Sequence, residues 1–317
     1  MAAAVTEIAP SRVLCCGNIV CDILVQPVDE FAAGGTTPVS RIEQHMGGNG
    51  ANTAYTLALM GTPVRLAGQA GMDQAGEFVL QRLAAGAVDT ALIGRSSLPT
   101  STTVVLVSSS GQRSFLHLFG CSADATVEPE LFAQCGCDHF HLASPFGLPG
   151  IRRRKAELLG AARAAGMTVS LDTHWDSLGE WMKDLGPCLP LLDLLFLNED
   201  EARMLTGETD ARAAARIIRS AGAPNVILKL GAAGCALYGA GGECAVAGFP
   251  VQAVDTTGAG DCFCGGFLAA LHRDASFLEA ARFANAMGAL SVSALGATQG
   301  LLNYEGATSW MARFPSF

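Results

Sequence analysis

Asp255-Thr-Thr-Gly-Ala-Gly-Asp-Cys-Phe-Cys-Gly-Gly-Phe267 is the stretch that decides how this 317-residue chain is read. Val251–Val254 ahead of it reads as a strand, Gly258-Ala-Gly260 as a tight turn, and Cys262–Arg273 as a helix. Glycines at such a turn let backbone amides approach a ligand closely. Amide N–H groups at the positive end of a helix form an anion site. Such a site suits phosphoryl oxygens, whose charge redistributes during transfer. Asp261 falls in the first turn of the helix. Two roles fit it there: a base that takes a proton from a nearby hydroxyl, or a simple helix cap.

A second glycine turn, Gly47-Gly-Asn-Gly-Ala-Asn52, feeds the helical run Gly50–Met60. It is not a dinucleotide fingerprint, because Gly-x-Gly-x-x-Gly read from Gly48 fails at Thr53, and this disfavours a dehydrogenase. A P-loop is excluded as well. The only lysines are Lys155, Lys183 and Lys229, preceded by Arg154, Met182 and Leu228, so no Gly-Lys-Ser/Thr exists.

Between these turns, apolar β-branched runs alternate with helical patterns. Strands are expected at Val13–Cys16, Val64–Gly68, Thr102–Ser108, Ser114–Phe119, His139–Ala143, Thr168–Asp172, Leu194–Asn198, Asn225–Leu230 and Cys235–Gly239. Further helices are expected at Ala75–Ala85, Ile151–Ala165, Asp200–Thr206, Ala211–Ser220 and Phe277–Leu295. The alternation predicts an α/β fold with a mainly parallel sheet covered on both faces. Residues 22–46, extended and loop-like, and 101–119, a hairpin, break the rhythm and are expected to form a small β cover on a single domain spanning 1–317.

Half the residues are hydrophobic and 15% are charged, enough for a large core. The net charge of −9 disfavours nucleic-acid and membrane partners. No apolar run approaches the roughly 18 residues a membrane span needs. Met1 to Arg12 lacks the pattern of a signal peptide, so a cytoplasmic location is expected. The basic run Arg152–Lys155 reads as a solvated helix face. Most of the eleven cysteines read as small buried hydrophobes. The cluster Cys135, Cys137, Asp138, His139, His141 reads first as a buried strand entering a loop, and second as a metal site.

Gly47-Gly-x-Gly-Ala-Asn52 and Asp255-Thr-x-Gly-Ala-Gly-Asp261 together resemble the paired signatures of the PfkB, or ribokinase-like, carbohydrate kinases. The similarity runs in order along essentially the whole chain. It implies a Rossmann-like three-layer α/β sandwich with a β-strand lid, and ATP and Mg2+ as cofactors. By this resemblance Asp261 is the catalytic base, and Gly258, Ala259 and Gly260 form the anion hole. Asp22, Gly48 and Asn52 bind substrate. Asn198 and Glu201, in Asn198-Glu-Asp-Glu201, organise phosphate and magnesium, Glu201 indirectly. Lys229, Gly231, Gly234 and Asn285 border the nucleotide. Asp255, Thr257, Ser291, Ala294 and Gly296 fall where some relatives hold a monovalent cation such as K+. A homodimer through the lid strands is a further family expectation.

Substrate identity is less legible. Asp172-Thr-His-Trp-Asp176 stands where several sugar kinases carry Asp-x-Asn-x-Arg, and the missing arginine weakens a sugar-acid reading. Only Arg41, Arg65 and Arg113 are available near the lid for a phosphosugar. Asp22 favours a neutral polyol, a pentose or ketohexose. A nucleoside offers the same hydroxyls, and Phe115, His117 and Phe119 alternate on one strand, where they either stack on a base or pack the lid. A non-catalytic sugar- or nucleotide-binding regulator is the alternative of another class; retention of Asp261 argues against it.

Overall fold

Val13-Leu-Cys-Cys16 shows how the core is divided. Side chains alternate across a strand. Leu14 and Cys16 join one buried cluster, with Leu158, Leu159 and Ala214, while Val13 and Cys15 join another, with Leu57, Phe267 and Ala284. Both faces of the strand are therefore covered, which is why it reads as an unbroken apolar run. The computed structural model describes residues 13–31 and 33–314. The expectation for Met1 to Arg12 lies outside the described residues.

The strands are β1 (Val13–Cys16), β2 (Val20–Gln26), β3 (Arg41–Gly47), β4 (Val64–Gly71), β5 (Ile93–Ser96), β6 (Ser101–Val107), β7 (Arg113–Leu118), β8 (His139–Ala143), β9 (Thr168–Asp172), β10 (Leu194–Asn198), β11 (Val226–Lys229), β12 (Gly234–Gly239) and β13 (Gly242–Ala247). The helices are α1 (Asn49–Leu59), α2 (Gln74–Ala85), α3 (Glu130–Gln134), α4 (Pro149–Ala164), α5 (Trp181–Leu185), α6 (Glu199–Thr206), α7 (Ala211–Ser220), α8 (Ala259–Leu271), α9 (Phe277–Val292) and α10 (Tyr304–Met311). Nine strands form the main sheet in the order β13-β12-β11-β10-β9-β8-β1-β4-β5, parallel except at β12 and β13. The second sheet has the order β3-β2-β6-β7. In the main sheet the chain winds outward from β1 in both directions. The crevice beyond the carboxyl ends of β1 and β8 is therefore a topological switch point, where open α/β sheets bind ligands. Among the described residues no helix is long and apolar enough to cross a membrane.

Most expected elements lie within a few residues of the observed ones, and three expectations need correction. Val251–Val254 is not a strand. Val251 and Val254 are exposed, and the backbone is pinned instead to the end of α9, where Val254 and Asp255 donate to the Val292 carbonyl. Residues 22–46 are less loop-like than expected, since the segment supplies most of β2 and β3, paired antiparallel from Val20–Gly47 to Gln26–Arg41. The basic run on α4 is a solvated face only at Arg153 and, in part, Arg154. Arg152 and Lys155 are buried, Arg152 against Asp176, Glu180 and Asp184, and Lys155 against Asp184. Asp176 thus balances a cation from α4 and secures the loop after β9.

The histidine-bearing strand is β8. His139 bonds the Thr168 and Ser170 hydroxyls, and His141 shares Ser170, each at 2.7 Å. Burial holds both imidazoles low, His141 down to about 3.

Candidate active site

Gly258 caps the N-terminus of α8 in the left-handed conformation, at φ 72°. A Cβ there would stand 2.3 Å from that of Ala297, so the turn needs glycine for space as well as for conformation. Beyond it, the N–H groups of Gly260 and Asp261 have no carbonyl one turn back within the helix. They point from the positive end of a 13-residue helix. Asp261 does not cap this helix. Its two carboxylate oxygens accept from Asn49 Nδ2 at 2.8 Å and Asn52 Nδ2 at 2.9 Å, across from α1. Asn49 and Asn52 lie three apart on one helix face, which brings both amides to the same carboxylate. Asn52 Oδ1 is buried and has no hydrogen-bond partner among the described residues. Gly48 caps α1 at φ 96° and links it to β3.

The small sheet faces this carboxylate with a row of polar side chains. Register places His45 of β3, Asp22 of β2, Thr103 of β6 and His117 of β7 side by side. Thr103 Oγ1 and His117 Nδ1 are 3.0 Å apart. Burial pushes Asp22 up to about 6; a hydrogen bond from Thr103 opposes this, and the charges of Asp255 and Asp261 add to it. Phe115 lies two residues along β7 from His117, on the same face. Phe119 meets His117 edge-on at 4.8 Å. Phe115 and Phe119 are both more than half exposed, so neither packs the interior of the lid.

On the other side of the anion turn lies a cavity of ≈ 420 Å³. Lys229, Gly231, Gly234, Ala259, Gly260 and Asn285 all contribute to its wall. Its apolar surfaces come from Phe249, Pro250, Val251 and Phe263. The amide of Asn285 donates to the carbonyls of Val246 and Ala247, so this residue shapes the wall. Lys229 Nζ is 2.5 Å from Asp172 Oδ1 and lies against Gly260. Burial would lower its pKa, but attraction to Asp172 and to the more distant Glu201 raises it, so the ammonium stays charged. Glu201 is buried and closes a capping box with Asn198. It accepts from the Asn198 N–H at 2.9 Å and from the Thr173 hydroxyl at 2.7 Å.

Of the residues expected around a monovalent cation, Asp255 and Thr257 are engaged by Arg113. Arg113 NH1 bonds the Asp255 carboxylate and, at 2.8 Å, the Thr257 hydroxyl, and Arg113 NH2 reaches the Val254 carbonyl at 3.2 Å. The other Asp255 oxygen accepts from Gly296 N–H at 2.8 Å. Ser291 donates to the Ala297 carbonyl at 2.7 Å, and Ala294 lies just beyond the end of α9. Asp255 is nearly fully buried, which would raise its pKa, yet the Arg113, Gly296 and Thr257 donors lower it.

The profile of the pfkB family carbohydrate kinases matches residues 11–303. The chain belongs to this family. It is 32% identical over 268 residues to the aminoimidazole riboside kinase of Salmonella typhimurium, covering 80% of this chain and 84% of that one. It is also 32% identical over 262 residues to the ribokinase of Haemophilus influenzae, covering 79% and 82%. The solved structure of Arabidopsis thaliana ribokinase complexed with ribose and ATP superposes with a TM-score of 0.82 at 27% identity, over 95% of this chain and 98% of that one. At the level of class, this pfkB kinase is an ATP-dependent phosphotransferase acting on a sugar or nucleoside hydroxyl. Three of its site contacts were not expected from sequence: Asn49 on Asp261, Arg113 on Asp255, and Asp172 on Lys229. Asn49 had a signal, since it sits between the glycines of the first signature. The other two join residues distant in the chain and carry no local signal.

Proposed function

We propose that this kinase phosphorylates a neutral sugar, of pentose or ketohexose type. The observation that carries this is a pair of carboxylates across one cleft, Asp22 on the small sheet and Asp261 at the anion turn, with no unpaired arginine beside them among the described residues. The three arginines considered for a charged substrate are all paired: Arg41 with Glu43, Arg65 with Asp89, and Arg113 with Asp255. An anionic sugar would meet two carboxylates and no counter-charge.

Asp22 accepts from substrate hydroxyls, and the unpartnered Oδ1 of Asn52 takes another. Asp261, oriented by Asn49 and Asn52, removes the proton of the hydroxyl that attacks the γ-phosphorus of ATP in line. The free amides of the α8 turn stabilise the charge of the transferring group. Lys229 is next to that turn and exchanges part of its contact with Asp172 for phosphate. Magnesium, when bound with ATP, neutralises phosphate charge. Glu201, through water, and Asp172 are the carboxylates that would hold it, in keeping with the one or two that such ions take.

A nucleoside is the second reading, favoured by the exposure of Phe115 and Phe119 beside His117 on the lid face that carries Asp22. The relatives at 32% identity include an aminoimidazole riboside kinase, a ribokinase and an ATP-dependent ribose-1-phosphate kinase, so identity separates none of these substrate classes. Coupled ADP release with Mg-ATP against neutral sugars, sugar acids, phosphosugars and nucleosides tests both. Turnover confined to an anionic sugar would overturn the proposal. Turnover of nucleosides alone would replace it with the second reading.

A further inference from the structure

Arg113 begins β7, opposite Val107 across the hairpin, on the lid face that carries Phe115 and His117. Its side chain is only 12% exposed. It leaves its own sheet and ends among oxygens of the segment that leads into α8: the Asp255 carboxylate, the Thr257 hydroxyl and the Val254 carbonyl. A carboxylate, a hydroxyl and a backbone carbonyl make a donor set for a hard monovalent ion, and here a guanidinium engages all three. The need for a cation at this point is electrostatic. Asp22, Asp255 and Asp261 converge closely enough that the charges of the latter two raise the pKa of the first. Lys229 is committed to Asp172, which leaves Arg113 to balance the group.

We propose that Arg113 is a built-in cation: its guanidinium takes the place a potassium ion would hold beside the anion turn, so the enzyme does not depend on potassium, and the small sheet is tied to the turn. This rests on the kinase reading of the site. Arg113 is thus a positioning residue, acting on Gly258–Asp261 through Asp255 and Thr257. A metal ion can be exchanged, whereas this charge arrives only when β7 is seated over the cleft. Lid position and anion-turn geometry are coupled by the same side chain.

The test compares wild type, Arg113→Met and Arg113→Lys in KCl, NaCl and tetramethylammonium chloride at equal ionic strength. One readout is thermal melting; the other is ADP formation from Mg-ATP with D-ribose or D-fructose. Wild type is expected to melt alike in the three salts and to show no preference for K+. Arg113→Met keeps an unbranched apolar stem but loses the guanidinium and its charge. It should melt lower in tetramethylammonium and gain about 2–4 °C from 0.1 M KCl, as expected for an ion that binds the folded state alone. Millimolar guanidinium should restore part of its turnover. Arg113→Lys, which keeps the charge, should remain indifferent to K+. A K+-specific gain in wild type would overturn the proposal, and so would an Arg113→Met enzyme that no cation stabilises. The wild-type comparison does not depend on whether the variants fold. Melting does not depend on turnover, so failure with every sugar would count against the kinase reading and leave the cation question decided.

Discussion

Gly258→Ala is the sharpest perturbation of the anion turn. Its Cβ would stand 2.3 Å from the Cβ of Ala297, where ordinary contact begins near 3.4 Å, so the turn and the 296–298 segment must part by roughly 1 Å. An L-residue at φ 72° adds a left-handed penalty of about 1–2 kcal/mol. Overpacking at a closed contact adds about 1–3 kcal/mol. Together these predict a loss of about 2–5 kcal/mol, or about 3–8 °C in melting temperature for a chain of this length. The effect on catalysis should be larger than the effect on folding, because a misplacement of about 1 Å in a positioned group costs on the order of 10²-fold. Differential scanning calorimetry and coupled ADP release on the same preparation measure both. Adding Ala297→Gly removes the clashing methyl and should recover the packing part while leaving the left-handed penalty. A single variant with wild-type melting and turnover would refute the reasoning. A double variant no better than the single would refute the assignment of the contact.

Asp261→Asn should lower kcat by about 10²-fold or more while ATP affinity, read by calorimetric titration, changes little; undiminished turnover would mean another group is the base. Asp22, pushed up to about 6, makes the unfolded chain lose its proton first as pH rises from about 4, so its contribution to stability falls across pH 4–6 and is flat above. Asp22→Asn should therefore melt higher than wild type at pH 7.5, with the difference closing near pH 4, and wild-type KM for the acceptor should rise as pH falls through about 6. Asp176→Ala should cost about 1–3 kcal/mol, since Arg152 keeps Glu180 and Asp184 but the N–H groups of Leu178, Glu180 and Trp181 lose their acceptor, read as a fall in denaturant midpoint.

The central strands were legible because they are buried on both faces, so β8, β9 and β10 stand out as apolar runs at their observed bounds. Strands of the small sheet are half-exposed, and Asp22, Glu43 and His45 broke up the pattern of β2 and β3. Val251–Val254 failed the other way: the residues are apolar but exposed, and no neighbouring strand offers them a ladder. Arg152 looked solvated because its three acidic partners lie about one helix and loop away, on the far side of β9.

The sequence by itself determined the local devices. Two glycine turns feeding helices, a carboxylate in the first turn of one of them, and a strand–helix alternation suited to a covered parallel sheet all follow from short-range pattern. Only the tertiary structure decided which charges meet. Asn52 and Asp261 are 209 residues apart in the chain, Arg113 and Asp255 are 142 apart, and Lys229 and Asp172 are 57 apart. The strand order sets Lys229 at the end of β11 near Asp172 at the end of β9, and the other two pairs join α1 to α8 and the small sheet to the segment before α8. Periodicity reports the face on which a residue lies, and it carries no record of what lies across a cleft. The roles of Asp261 and Arg113 therefore depend on the topology that places α1, the small sheet and α8 around one crevice.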